Sequence, residues 1–382
     1  MRIGISTLAC VPGRSGGDAR YVRELIAHLP LVDQKNTYFI FVAPWNRTWF
    51  ESQHSHVRLV TCSVPRSFSL RAAWEQIYLP LLARRLHLDL FHAPINVAPL
   101  AVPCTLVLTL LEAEPFLFPD SIPPQLLLYW RIMRMAAAQR ATRIIAISES
   151  SKGELIRTMG ISADMVEVTY LGVNSDRFDQ HASQSGATLP YGVEQPFLLW
   201  VGRTYPRKNV KRAIQAFIAV KAKGIPHKLV LAGTAGWADS EVKEAIRDAR
   251  LNAHDIIVLG YVDDTVLSTL YAQATAFLFP SIHEAFGLPV LEAMASGLPV
   301  ITSATTATAE VSGDHAILVD PLDVHSIAAG IERAIEYATD TSGITARTEA
   351  ARQHARQFSW LRTAAQTLEI YNRARDMRDP IR

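Results

Sequence analysis

Short runs of β-branched and aromatic residues alternate along the whole chain with longer stretches whose apolar positions recur at helical spacing. That alternation predicts parallel α/β units, because a buried parallel strand needs a crossover helix to bring the chain back. In the first half the pattern predicts strands at residues 2–6, 38–42, 57–61, 88–92, 105–109 and 143–146, and helices at 18–28, 72–86, 123–139 and 150–159. In the second half it predicts strands at 197–201, 228–232, 256–259, 276–279, 300–302 and 316–319. A last helix over 360–375 has no strand after it. The expected fold class is α/β, with two doubly wound Rossmann-like domains, 1–185 and 195–359, facing a cleft at the carboxyl ends of both sheets. The closing helix, 360–382, is expected to return to the first domain. The stretch 180–195, rich in Ser, Gly and Gln with one Pro, is the expected linker.

Composition narrows the class. A chain of 382 residues suits two domains, and 49% hydrophobic with 19% charged residues excludes disorder, collagen and coiled coil. Lys and Arg number 38 against 36 Asp and Glu, a balance that argues against a nucleic-acid partner held by charge. Cys10, Cys62 and Cys104 are widely spaced, with neither a disulfide framework nor a zinc pattern, so a reducing cytoplasm is expected. The first six residues read as a strand rather than a secretory segment. The apolar stretch 97–111 is broken by Pro99 and Pro103 and is too short to span a bilayer. Residues 70–88 and 129–143 set Arg beside Leu, Trp and Tyr, a composition that can lie on the inner face of a membrane. Amphipathic helices packed on a sheet, with arginines in water, share that composition.

Chemistry concentrates in three segments. Residues 280–300 read PSIHEAFGLPVLEAMASGLPV, a strand end, loop, helix, turn and strand. Pro289 suits a first helical turn and Gly297 the position past a helix end. The backbone N–H groups of Phe286, Gly287 and Leu288 would then open a helix where a strand ends, a ready anion site. Glu284 and Glu292 bracket it. Carboxylates repel phosphate, so they point to hydroxyl-rich neighbours on either side, which a nucleotide-sugar supplies. The second segment, GRTYPRKN at 202–209, gathers Arg203, Arg207 and Lys208 after an apolar strand, where cations oppose the helix dipole unless an anion is bound. The third, PGRSGGDAR at 12–20, places Gly16 and Gly17 before a helix without the dinucleotide fingerprint. His283-Glu284 lacks the second His of a zinc protease. There is no phosphate-binding lysine loop, no serine elbow and no D-x-D pair for a bridging metal.

The Glu284/Glu292 pair inside EAFGLPVLEAMASGLPV, with GRTYPRKN and the Gly-Gly loop, resembles the family 4 retaining glycosyltransferases. LVLAG at 229–233, VLGYVDD at 258–264 and RIIAISES at 143–150 extend the resemblance over nearly the whole chain. The PRKN form is most similar to bacterial mannosyltransferases that build O-antigen and exopolysaccharide chains. The resemblance implies a GT-B fold and a nucleotide-diphosphate sugar donor, GDP-mannose in type, held mainly by the second domain. Arg203 and Lys208 would neutralise the departing diphosphate in place of a metal, with no cofactor. Glu284 would bond the transferred sugar, and Phe286, Gly287 and Leu288 its phosphate. Glu292 would take the ribose, and Gly260, Tyr261 and Val262 would flank the base. Gly16 and Gly17 would approach the phosphates or the acceptor, which would be a glycan or a lipid-linked glycan. Retention is expected by attack on the face the diphosphate leaves.

One position departs from the family. Where its members usually carry His-Asp, this chain has Leu111-Glu112. Leu111 cannot hydrogen-bond a sugar hydroxyl, so an apolar neighbour at C6 leans towards a 6-deoxyhexose donor. The same departure keeps a catalytically silent, nucleotide-sugar-binding member as an alternative. A GT-B epimerase should differ around the glutamate pair, and a two-lobed sugar-binding protein would not need Arg203 and Lys208 beside a helix start.

Overall fold

Strand β1 (Arg2–Ser6) is buried on both faces at its centre, and its Gly4 shows why the position is glycine. A Cβ there would lie 2.5 Å from the Leu88 side chain and 2.9 Å from Phe41. Around it the computed structural model describes residues 1–12, 16–175, 177–178, 189, 192–236, 239–248, 255–340 and 344–378. The chain divides into two units, Met1–Gly172 with Trp360–Arg382, and Val173–Ser359.

The first unit continues with α1 (Gly17–Val32), β2 (Thr37–Val42), β3 (Val57–Thr61), α2 (Phe68–Arg85), β4 (Leu90–Ala93) and β5 (Thr105–Thr109). Then come α3 (Glu114–Leu117), α4 (Pro124–Arg140), β6 (Arg143–Ala146), α5 (Glu149–Met159) and β7 (Val166–Val168). Its strands lie in the order β3-β2-β1-β4-β5-β6-β7, every pairing parallel. The second unit holds β8 (Phe197–Val201), α6 (Val210–Lys221), β9 (Lys228–Ala232), α7 (Asp239–Asp248), β10 (Ile256–Gly260), α8 (Asp264–Gln273) and β11 (Ala276–Phe279). It ends with α9 (Leu288–Ala295), β12 (Val300–Ser303), α10 (Thr306–Ser312), β13 (Ile317–Val319), α11 (Val324–Thr339) and α12 (Ile344–Arg356). Its order is β10-β9-β8-β11-β12-β13, again parallel throughout. Both sheets reverse direction once, between β1 and β4 and between β8 and β11. Ligands of open α/β sheets bind outside the strand ends at such a switch point.

Several boundaries move for visible reasons. The strand expected at 88–92 starts at Leu90, because the Leu88 N–H bonds the Ala83 carbonyl at 3.0 Å and extends the end of α2. The three-residue β7 is too short to leave a period in the sequence. The domain boundary expected at 185 falls earlier, at Gly172/Val173. Val173 donates to the Phe358 carbonyl at 2.9 Å, Arg177 Nε donates to Ser268 Oγ at 2.8 Å, and Phe178 stands edge-on to Tyr271. Those contacts tie 173–178 to the second unit. Of the linker expected at 180–195, only Leu189 and the four residues from Gly192 lie among the described residues.

The last helix, α13 (Trp360–Arg378), belongs to the first unit and closes a buried polar chain. Tyr371 Oη and His92 Nδ1 are 2.7 Å apart, His92 Nε2 and Thr109 Oγ1 2.8 Å, and Thr109 Oγ1 and Tyr21 Oη 3.0 Å. These four side chains come from α13, β4, β5 and α1. Burial pushes the His92 imidazole down to about 3, so it stays neutral within this chain.

Candidate functional site

The loops leaving β8 and β11 meet at the switch point of the second sheet. After Val201 the chain passes through Gly202, whose backbone approaches Gly233 closely enough that a Cβ on Gly233 would sit 1.8 Å from the Gly202 carbonyl oxygen. Gly233 also has φ +139, so glycine is required twice over. This contact docks the β9 loop on the β8 loop. Arg203 is fixed in it, with Nε donating to Thr234 Oγ1 at 3.0 Å and Nη1 to the Tyr205 hydroxyl at 3.3 Å.

The turn Pro206–Lys208 ends on Asn209, which is left-handed at φ 59. Asn209 Nδ2 donates to the carbonyls of Pro280 at 2.8 Å and Pro321 at 2.6 Å, and Ile282 N donates to the Arg207 carbonyl at 2.7 Å. These bonds stitch the basic turn to the loop after β11. As a result Lys208 Nζ lies 2.6 Å from Glu284 Oε1, and Arg207 Nη1 lies 3.8 Å from Oε2. Burial pushes the Glu284 carboxyl up, but Lys208 and then Arg207 outweigh it and hold it below the ordinary glutamate range. Glu284 is therefore a buried carboxylate that stays charged.

Glu292 sits on the first turns of α9, 3% exposed, with the Tyr271 hydroxyl donating to its Oε2 at 3.1 Å. Neither glutamate is a solvated surface group. Gly287 caps α9 in the left-handed region at φ 101, and a Cβ there would come 3.0 Å from the Thr308 methyl. Phe286 is buried edge-on to Phe358, Leu288 opens the helix, and Pro289 follows it in the first turn. Gly260 ends β10 with positive φ, and its carbonyl accepts from Gly233 N at 2.7 Å, which joins the Gly260, Tyr261 and Val262 turn to the same rim. Tyr261 is 75% exposed there and Val262 is buried.

The second unit thus brings together Arg203, Lys208, Glu284, Phe286, Gly287, Leu288 and Glu292, with Gly260, Tyr261 and Val262 at the edge. Sequence reasoning missed Asn209 and Tyr271. An Asn just before a helix is a readable turn signal, but its bonds to Pro280 and Pro321 left no trace in the sequence, and neither did the part of Tyr271 on α8. Among the described residues no cluster of side chains could hold a metal ion.

The remaining expected residues lie in the first unit. Gly16 caps α1, and its N–H is taken by Asp18 Oδ1 at 2.7 Å; Gly17 begins the helix. Residues 13–15 lie outside the described residues. A recess of about 280 Å³ opens at the carboxyl ends of β1 and β4, the switch point of this sheet, walled by Asp18, Arg71, Glu75, Tyr129, Trp130 and Glu112. Leu111 is buried, its N–H bonded to Asn96 Oδ1 at 2.8 Å, and the Glu112 carbonyl accepts from Arg134 Nη1 at 2.7 Å. A larger recess, about 580 Å³, lies at the opposite ends of β8, β11 and β12, away from the glutamate pair.

Comparison with known proteins agrees with this layout. Residues 15–177 match the model of Glycosyltransferase Family 4, and residues 188–353 that of Glycosyl transferases group 1. The O-antigen chain mannosyltransferase B of Escherichia coli is 32% identical over 268 residues, 69% of each chain. Sucrose-phosphate synthase from Thermosynechococcus elongatus superimposes with a TM-score of 0.77 at 19% identity, covering 97% of this chain and 98% of that one. HepE of Anabaena, solved in complex with UDP and glucose, gives 0.73 at 21% identity over 98% of this chain and all of that one (100%). The chain belongs to the GT-B glycosyltransferases that join a family 4 amino-terminal module to a group 1 carboxyl-terminal module, and it is a glycosyltransferase.

Proposed function

We propose that this chain moves a hexose, mannose from a GDP-mannose-type donor in the first instance, onto a glycan or lipid-linked glycan acceptor, with retention and without a metal ion. The observation that carries this reading is the Lys208–Glu284 pair at the switch point of the second sheet, beside the start of α9. A nucleoside diphosphate placed there meets Arg203 and Lys208 as fixed cations and the α9 backbone as donors. As the bond from sugar C1 to phosphate oxygen breaks, those groups face growing charge on the leaving diphosphate, where preorganised donors lower the barrier. The acceptor oxygen bonds C1 from the same face, and its proton passes to the released phosphate. Glu284, kept ionised by Lys208 and Arg207, accepts from hydroxyls of the transferred sugar. Glu292 does the same for the ribose. A relative named a mannosyltransferase supports the sugar, and a structural neighbour solved with UDP and glucose supports the class of donor.

The test is a panel of nucleotide-sugars incubated with glycan acceptors, with and without EDTA, and the product anomer read by NMR. Transfer from GDP-mannose with retained configuration, unaffected by chelator, is the expected result. An inverted product or loss of activity with EDTA would overturn the mechanism. Binding heat with no product from any donor would favour the silent reading that Leu111 raises.

A further inference from the structure

One face of α2 and the loop after β4 shape the recess of the first unit. Phe68, Arg71, Ala72, Glu75 and Gln76 follow one another at helical spacing, so all five line it. Gln76 holds the wall together, with Nε2 donating to the Ala98 carbonyl and Oε1 accepting from Leu100 N, both at 3.0 Å. Asn96, just past β4, is left-handed at φ 55. Its Oδ1 accepts from Leu111 N, and its Nδ2 has no partner among the described residues, so that donor is available to a hydroxyl. Tyr129 and Trp130 of α4 complete the wall, each half-buried and each edge-on to Phe68, at 5.4 and 6.5 Å. One edge-on neighbour covers at most one face of a ring. The C–H groups of a sugar ring carry partial positive charge and fit against an open aromatic face.

The same recess holds four carboxylates, on Asp18, Glu75, Glu112 and Glu114, against two arginines, Arg71 and Arg134. Both arginines are already engaged. Arg71 Nε lies 3.6 Å from Glu75 Oε1, one helical turn away. Arg134 is buried, its Nη1 donates to the Glu112 carbonyl at 2.7 Å, and the Glu112 and Glu114 carboxylates face its charge. Burial pushes the Glu75 carboxyl up to about 7 while Arg71 pulls it down, so above that pH the pair is ionised and Arg71 is neutralised. A phosphate entering the recess then meets a surplus of negative charge with no unpaired cation to offset it. An uncharged ring meets no such barrier.

We infer that Glu75 determines acceptor selectivity: by holding Arg71 it keeps the recess for an uncharged sugar, stacked on Trp130 or Tyr129, and excludes phosphorylated sugars. This selectivity rests on the transfer reading, which assigns the acceptor to this recess. The donor groups all belong to the second unit, and the recess lies at the switch point of the first sheet, where ligands of open α/β sheets bind. Glu75 acts here through Arg71 and through the charge of the wall, not by contact with the reacting atoms.

Ligand-observed NMR titrations of the full chain at pH 8, with GDP and UDP in excess to fill the donor groups, test the preference. Wild type should bind methyl α-mannoside about tenfold or more tightly than mannose 6-phosphate. Glu75→Gln frees Arg71 and should move that ratio about tenfold or more towards the phosphorylated sugar. Adding Arg71→Gln should return the ratio towards wild type, which a general loosening of the recess would not do. At least one of Trp130→Leu and Tyr129→Leu should weaken methyl α-mannoside by about tenfold. Thermal unfolding identifies the variants that fold, and Glu75→Ala takes the place of Glu75→Gln where the amide is not tolerated. Binding of neither sugar by wild type, or a preference for the phosphorylated one, would overturn the inference. So would an unshifted ratio in a folded Glu75 variant, or unchanged affinity in both aromatic variants. Transfer from a nucleotide-sugar panel to the sugar that binds is scored separately. Its absence with the ratio shift intact counts against the transfer reading, and its presence without the shift counts against Glu75.

Discussion

Lys208 Nζ lies 2.6 Å from Glu284 Oε1, and the two residues reach each other from opposite sides of the point where the second sheet changes direction. The pair has a structural and a chemical role, and substitution separates them. Lys208→Ala leaves a buried carboxylate with the more distant Arg207 and the Ser281 hydroxyl, so it should cost about 3 kcal/mol of stability. Turnover should fall by about 10² or more, as when one preorganised donor is removed. Lys208→Ala combined with Glu284→Gln should recover most of the stability and none of the activity, measured by urea unfolding beside a transfer assay. Recovery of both would leave the lysine without a part in catalysis.

The two glutamates should respond differently to replacement by Gln. Glu292→Gln weakens nucleoside diphosphate and intact donor alike, by about 1–3 kcal/mol for one hydrogen-bonded group. Glu284→Gln releases Lys208 from its carboxylate, so nucleoside diphosphate should bind as well as to wild type or better, while transfer collapses. Calorimetry with the free nucleotide decides. Equal weakening in both variants would contradict the assigned roles.

Glycine substitutions provide a steric test. Gly233→Ala drives a Cβ into the Gly202 carbonyl at 1.8 Å and should destabilise the second unit by about 3 kcal/mol or more, with loss of nucleotide binding. At Gly16, the cap of α1, an added Cβ meets none of the described residues within 4 Å, so Gly16→Ala should cost only what a poorer helix cap costs, about 1 kcal/mol. Any fall in transfer by that variant would come from substrate approach rather than folding.

Acid should weaken the first unit through His92. Its folded-state value, about 3, lies below the ordinary 6.5, so the native state binds fewer protons than the unfolded chain between those values. Stability is then fully present above pH 6.5 and is lost as pH falls towards 3, at up to about 1.4 kcal/mol per pH unit. Denaturant midpoints of wild type and His92→Gln from pH 7 to 5 should show a slope in the first that is reduced in the second. Parallel slopes would remove His92 as the source.

The Leu111 departure can be tested at the level of donor choice. Comparing kcat/KM for GDP-mannose and GDP-rhamnose in wild type and Leu111→His should show a shift towards the 6-hydroxy donor in the variant, by about tenfold for one hydrogen bond regained. No shift would detach this residue from sugar selection.

Much of the architecture was legible because parallel strands buried on both faces read as unbroken apolar runs. Phe197–Val201 and Ala276–Phe279 are such runs, and both fell where expected. The glutamate pair was legible because Pro289 and Gly297 punctuate the helix between them. What stayed hidden depended on contacts between distant segments. Nothing local to Tyr271 signals that its hydroxyl holds Glu292, and nothing in GRTYPRKN shows that Asn209 pins the turn to Pro280 and Pro321. The early boundary at Val173 was obscured for the same reason, since Phe358, its partner, lies 185 residues away.

The return of α13 to the first unit has a consequence for the order of events during synthesis. Val173–Ser359 is one continuous stretch, and its core can close as soon as that stretch has left the ribosome. The unit made first must wait, because His92 lacks its Tyr371 partner until the last helix emerges. Chains cut off after residue 359 and arrested on a linker long enough to clear the exit tunnel should resist protease over the second unit and be cut in the first. Maturation would then run opposite to translation, the later-made unit being finished while the first still waits for α13.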